Sequence, residues 1–299
     1  MSSLIQPGSV AQVRRSLVRN QHAFDQFSAV FEATSEQLLE RLDLLAIAPK
    51  TVLDLGCRTG YQLDSLQQKY PSAEIIGCDF ATLPPAKIPR SWPAWLRSQP
   101  KNPVRLECDP HQLPFAAESF DLVVSNLMLP WCHSPHRVFE EVARVLTSGG
   151  AFMFASAGPD TLKEYRAAWA CIDGYLHEFG LIDMHDIGDS LMAAGFAAPV
   201  LDRDSLNVDY PDIGALQHEL RALGAVNVAT GRRLGLMSPS VRQSLSANAG
   251  EAERFKVSLE LVHGHGWKGE LLPSRQNSDS EYSIPADSLR GSWSSKIGR

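Results

Sequence analysis

The sequence predicts an α/β protein with a doubly wound, mainly parallel sheet, and three observations carry the prediction. Short apolar runs suited to buried parallel strands recur at Val52–Leu55, Ala73–Asp79, Val104–Cys108, Ser119–Asn126 and Ala151–Ser156. Segments of helical periodicity alternate with them. The first run ends in the turn Gly56-Cys57-Arg58-Thr59-Gly60, which leads directly into an apolar-periodic helix through Tyr61, Leu63 and Leu66. A strand, a tight turn and a helix in that order mark the carboxyl end of the first strand, where such sheets open a crevice for a nucleotide-like ligand. The glycines allow backbone angles and a close approach that a Cβ would forbid.

Taken in order, residues 1–46 read as an N-terminal helical segment able to lie across that crevice. Phe24, Phe27, Val30, Phe31, Leu38, Leu39, Leu42 and Leu45 supply its periodicity. Its first 24 residues carry Arg14, Arg15 and Arg19 and no acid before Asp25, so a transit peptide is the alternative reading. The first helix stops at Pro71. The second strand ends in Asp79, and an acid about 20 to 25 residues beyond a glycine turn is placed to bond ribose hydroxyls. Residues 81–103 hold six prolines interleaved with Trp92 and Trp95, which precludes a long helix. The third strand closes on Asp109 and the fourth on Asn126. Val138 to Leu146 is an amphipathic helix stopped by Ser148-Gly149-Gly150. Beyond the fifth strand, a helix runs from Ile187 to Ala194, a strand lies within Ala198–Tyr210, a helix spans Pro211–Gly224, and a last strand spans Val257–His263. The span of about 211–256 is a helical insertion into the domain at 47–269. Residues 270–299 read as a disordered tail.

Composition bounds the function. With 299 residues, 44% of them hydrophobic and 21% charged, the chain can bury a full core as one elaborated domain. A formal charge of −6 argues against nucleic acid as a partner. No run reaches 18 apolar residues, so no membrane span is expected, and with no signal-peptide pattern the expected location is cytoplasmic. The five cysteines, Cys57, Cys78, Cys108, Cys132 and Cys171, are an odd number without a C-x-x-C pair and read as reduced thiols. Four stand near strand ends, where small buried apolar residues are the default and no metal site is expected.

The glycine turn resembles the first motif of the S-adenosylmethionine-dependent methyltransferases, with Arg58 where that family's D-x-G-x-G-x-G pattern has its middle glycine. The S-F-D-L-V-x-S-N segment at Ser119 and the R-V-L-x-x-G-G segment from Arg144 to Gly150 strengthen the likeness. In the second half, Ala157–Arg166, Asp183–Asp189, Ala194–Phe196, Glu219–Asn227 and Glu260–Trp267 are similar to the BioC family, the malonyl-acyl-carrier-protein O-methyltransferases of biotin synthesis. A related mitochondrial assembly factor, regarded as a protein-arginine hydroxylase, shares much of the central sequence. The resemblance implies a Rossmann-like, seven-stranded class I methyltransferase sheet with an inserted helical cap. It implies S-adenosyl-L-methionine as cofactor, held by Asp54, Gly56, Gly60, Asp79, Asp109 and Asn126, with Asp109 beside the adenine amino group. Malonyl-acyl carrier protein or malonyl-CoA is the implied substrate; a catalytically weakened binding protein and a hydroxylase-like relative are the alternatives.

Methylating a carboxylate demands little acid–base chemistry, because the oxygen is already ionised at neutral pH. Alignment and removal of water supply the rate, and a cation must hold the carboxylate. Arg221 on the inserted helix, preferred, and Arg166 after the fifth strand are the candidates. Trp131, His133 and Tyr165 are candidates for shaping the pocket. Arg14, Arg15, Arg19, Arg232 and Arg233 are the clusters able to meet an acidic carrier. Arg58 is expected to obstruct the cofactor or strain the turn, so Arg58→Gly would tighten cofactor binding about tenfold. Phe24 replaces a tyrosine frequent in the relatives and removes one hydroxyl.

Overall fold

The computed structural model describes residues 10–81, 104–170, 172–173, 175, 177, 181–225, 235, 237–250 and 253–269. The proline-rich 82–103 stretch, Cys171, Arg232, Arg233 and the 270–299 tail lie outside them.

Seven strands form one sheet in the order β3-β2-β1-β4-β5-β7-β6. They are β1 (Thr51–Leu55), β2 (Glu74–Asp79), β3 (Val104–Glu107), β4 (Phe120–Asn126), β5 (Leu146–Ala157), β6 (Phe196–Tyr210) and β7 (Phe255–Lys268). The first five pair in parallel, and β7 runs antiparallel between β5 and β6. The helices are α1 (Val10–Asn20), α2 (Ala29–Arg41), α3 (Leu63–Lys69), α4 (Pro135–Val145), α5 (Lys163–Trp169), α6 (Met184–Ala193), α7 (Ile213–Ala222) and α8 (Pro239–Asn248). Among the described residues no helix is long and apolar enough to cross a membrane.

The strands sort side chains by the two-residue period. Leu53, Leu55, Val123, Phe152 and Phe154 face one layer, where α1, α4 and α6 add Val13, Leu17, Phe139, Val142, Ile187 and Leu191. Val52, Leu122, Val124 and Met153 face the other, against Leu38 of α2 and Leu63 and Leu66 of α3. Burial on both faces is why the central strands read as unbroken apolar runs. The chain reverses direction across the sheet between β1 and β4, so their carboxyl ends flank the switch point where a ligand crevice opens.

Two sequence readings are corrected. Ser148-Gly149-Gly150 does not lie outside the strand: α4 ends at Val145, and β5 begins at Leu146, which pairs with Phe120. Gly150 is required there because a Cβ would come within 3.0 Å of the Asp121 carbonyl. The cysteines are not all free. Parallel pairing of β2 and β3 sets Cys78 opposite Leu106, and Cys108, just past the end of β3, forms a disulfide with Cys78, while Cys57 and Cys132 are buried free thiols.

Candidate cofactor and acceptor sites

The turn after β1 is built on two glycines that nothing larger could replace. Gly56 has φ +93°, and a Cβ there would stand 2.5 Å from the Met128 Cβ. Gly60 has φ +90°, and a Cβ there would lie 3.1 Å from both the Arg105 and the Leu63 side chains. The Gly56 N–H donates to the Cys78 carbonyl at 2.7 Å, which fastens the turn to the tip of β2.

Asp79 closes β2 and is 4% exposed. One carboxylate oxygen accepts the Arg58 N–H and the other the Ala81 N–H, each at 3.0 Å. Burial pushes its pKa up against the Arg58 charge and these hydrogen bonds. Asp54 is 1% exposed, and burial with the neighbouring Asp79 pushes its carboxyl up to about 8. Its Oδ2 has no hydrogen-bond partner among the described residues. At the tip of β4, Asn126 donates to the Phe31 carbonyl and to the Tyr61 hydroxyl, both at 2.8 Å, and its Oδ1 is also unpartnered among those residues. Asp109 is farther out; it accepts the backbone N–H of His111 at 2.9 Å and faces the ring Nδ1 at 2.6 Å.

Arg58 adopts the left-handed conformation, φ +51°, a strain of about 1–2 kcal/mol for a residue with a Cβ. Its half-buried side chain crosses the cleft. The guanidinium carbon lies 4.6 Å from the centre of the Phe24 ring, and Nη2 donates to the Leu223 carbonyl at 2.7 Å, just beyond α7.

These groups border a narrow cleft that also meets Leu17, Phe31, Leu127 and Met128, with a cavity of about 10 Å³, the room of one water molecule. A second cavity of about 130 Å³ opens beside it. Val30 and Phe31 of α2, Leu127 and Trp131 after β4, Leu162, and Leu216, Leu220 and Leu223 at α7 make it strongly apolar. Thr161, Glu219 and Tyr210 are its polar residues. The tyrosine hydroxyl donates to Glu219 at 2.9 Å, and burial holds the Glu219 pKa above its ordinary value. Phe31, Leu127 and Trp131 border both spaces.

The structure therefore brings Gly56, Asp79 and Asn126 around one cleft, with Asp54 buried at the end of β1, Gly60 closing the turn and Asp109 at the next strand end. The orphaned oxygens of Asp54 and Asn126 are acceptors that a nucleoside with an amino-acid arm would satisfy. The cation candidates stand elsewhere. Arg221 is exposed on α7, and Arg166 gives its guanidinium to the carbonyls of Thr161 and Pro159, fastening the loop after β5. Sequence reasoning missed Leu17, whereas it expected Leu127, Met128, Leu129 and Trp131 to line the exit of the fourth strand, and Leu127, Met128 and Trp131 do border the cleft. Leu127 has φ +52° in a buried position, and no residue-type signal marks a leucine for that conformation.

The comparisons agree with this geometry. A family model described as a methyltransferase domain matches residues 53–154. The malonyl-[acyl-carrier protein] O-methyltransferase of Laribacter hongkongensis is 36% identical over 282 residues, 90% of this chain and 93% of that protein. The protein of the same name from a Methylovorus species is 38% identical over 263 residues, covering 86% and 88%. The structure of YcgJ from Bacillus, at 16% identity, covers 79% of this chain and 99% of its own with a TM-score of 0.53. A phosphoethanolamine N-methyltransferase of Haemonchus contortus, 15% identical, covers 86% and 60% with a TM-score of 0.52. Those two likenesses are likenesses of fold. With the switch-point cleft, the strand-end acids and relatives matching nearly end to end, the chain belongs to the malonyl-[acyl-carrier protein] O-methyltransferase family, S-adenosylmethionine-dependent methyltransferases of Rossmann-like fold.

Proposed function

We propose that this enzyme methylates the free carboxylate of a malonyl thioester, carried on acyl carrier protein in preference to coenzyme A, as a cytoplasmic step of biotin synthesis. The observation that carries the reading is the apolar pocket sharing Phe31, Leu127 and Trp131 with the cofactor cleft. An acceptor seated there meets the cofactor through a common wall. The bound cofactor supplies an electrophilic methyl group on a sulfonium. Asp79 is assigned to the ribose hydroxyls, Asp109 to the adenine amino group, and Asp54 and Asn126 to the amino-acid end. The pocket strips water from the acceptor oxygen, which raises its reactivity. No base is required, since the malonyl carboxyl ionises near pH ~4.

The test is transfer of a labelled methyl group from S-adenosylmethionine to malonyl-acyl carrier protein. A base-labile methyl ester is expected on the malonyl carrier and none on the acetyl carrier; no transfer to the malonyl form sinks the proposal. Arg221 and Arg166 remain the proposed carboxylate clamps, and Arg166 would have to exchange its two carbonyl acceptors for the substrate. Replacing the true clamp by Met abolishes transfer with cofactor affinity nearly unchanged. Two active single mutants would place the carboxylate at another cation.

A further inference from the structure

Two ionisable side chains at the glycine turn lack the partner their surroundings call for. Asp54 Oδ2 is buried with no donor among the described residues. The Arg58 guanidinium has five N–H donors, and among the described residues its hydrogen bond is the one to the Leu223 carbonyl, with an aromatic face below it. Asp79, the acid whose charge it feels most, is bonded through the Arg58 backbone N–H. Buried ionisable groups in folded proteins are paired or await a ligand. Arg58 lines the cleft together with Asn126, whose amide bonds the Tyr61 hydroxyl, and Asp54 and Arg58 both act electrostatically on that hydroxyl. Together they complement a zwitterion, an ammonium for the acid and a carboxylate for the guanidinium fork.

We propose that Arg58 is a ligand for the carboxylate at the methionine end of S-adenosylmethionine, with Asp54 receiving the ammonium of the same end. The proposal rests on the cofactor reading above and reverses the expectation that a cation at this position merely obstructs. The left-handed backbone at Arg58 is held by Asp79, and the arm is aimed by Phe24 and Leu223, so the strained conformation presents the guanidinium to the cleft. Phenylalanine in place of tyrosine at position 24 gives the cation an apolar face and no competing hydroxyl. The acceptor's malonyl carboxylate shares the same chemistry, and Leu223 borders the acceptor pocket; the experiment separates the two sources.

Calorimetric titration of the full-length chain compares S-adenosylhomocysteine, which keeps the amino-acid end, with methylthioadenosine, which lacks it. In Arg58→Met, the expected result is at least tenfold weaker binding of S-adenosylhomocysteine and methylthioadenosine affinity within about twofold of wild type. Arg58→Lys, which keeps the charge without the fork, falls between, and it serves as the readout if the Met variant fails to fold. Unchanged or tighter S-adenosylhomocysteine binding in the variant overturns the proposal. So does an equal loss for both nucleosides, which would mean a merely structural arginine. Unchanged cofactor affinity with a raised KM for malonyl thioester would move the carboxylate to the acceptor and overturn the cofactor assignment. Failure of the wild-type chain to bind either nucleoside would overturn the cofactor reading itself, a result distinct from all of these.

Discussion

Asp54 shows what a buried acid costs the fold. A carboxyl raised from 3.8 to about 8 holds its proton more tightly in the folded chain than in the unfolded one. The folded state therefore binds more protons between those values, and stability falls as pH rises from about 4 to about 8. Asp54→Asn removes the titration and keeps a neutral group of the same shape. It is expected to raise Tm, by more at pH 8 than at pH 5, while weakening S-adenosylhomocysteine binding. Equal Tm changes at the two pH values would show that Asp54 is not the group. The position of the acids at strand ends was legible because a strand-end acid and a glycine turn stand at diagnostic spacing. The burial that sets their pKa was not, since it depends on Val13, Leu17 and Met128 arriving from distant segments.

At the scale of elements, α1 is the helix that packs Leu17 against the cofactor cleft. Its Val13 and Leu17 are 1% and 3% exposed, packed with Phe80 and Met128 beside the cleft. It is tied down by an Arg14–Glu107 ion pair and by the Ser16 hydroxyl on the Gly224 carbonyl. The ion pair is exposed and adds little, so the two apolar side chains supply most of the hold. Leu17→Ala is expected to loosen α1 and speed cofactor association several-fold, with a loss of stability within the ~2–5 kcal/mol of a buried leucine truncation. Stopped-flow fluorescence of Trp131, at the cleft wall, reads the rate; an unchanged rate would show that α1 does not gate entry. The parallel strands were legible from apolar runs, whereas β6 and β7 extend beyond their expected ends. β6 mixes half-buried and exposed residues between buried Phe196 and Tyr210, with residues 202–205 all exposed, on one antiparallel ladder with β7, so the apolar signal covers only part of the strand.

For the molecule as a whole, a sheet of order β3-β2-β1-β4-β5-β7-β6 carries two cavities that share one partition. Alternating runs imply a doubly wound sheet, and the switch point follows from that. The pairing of β7 between β5 and β6 and the partition itself are tertiary facts, because Phe31 comes from a segment distant in sequence from the one that holds Leu127 and Trp131. That common wall has a kinetic consequence. A cofactor that widens a cleft with room for one water must displace side chains that also bound the acceptor pocket, so the two substrates cannot bind as independent events. Bisubstrate initial-rate analysis is expected to show a compulsory order, cofactor first, with S-adenosylhomocysteine competitive against S-adenosylmethionine and noncompetitive against the malonyl thioester. Random-order patterns would mean that the partition is rigid, and that each ligand finds its own chamber already made.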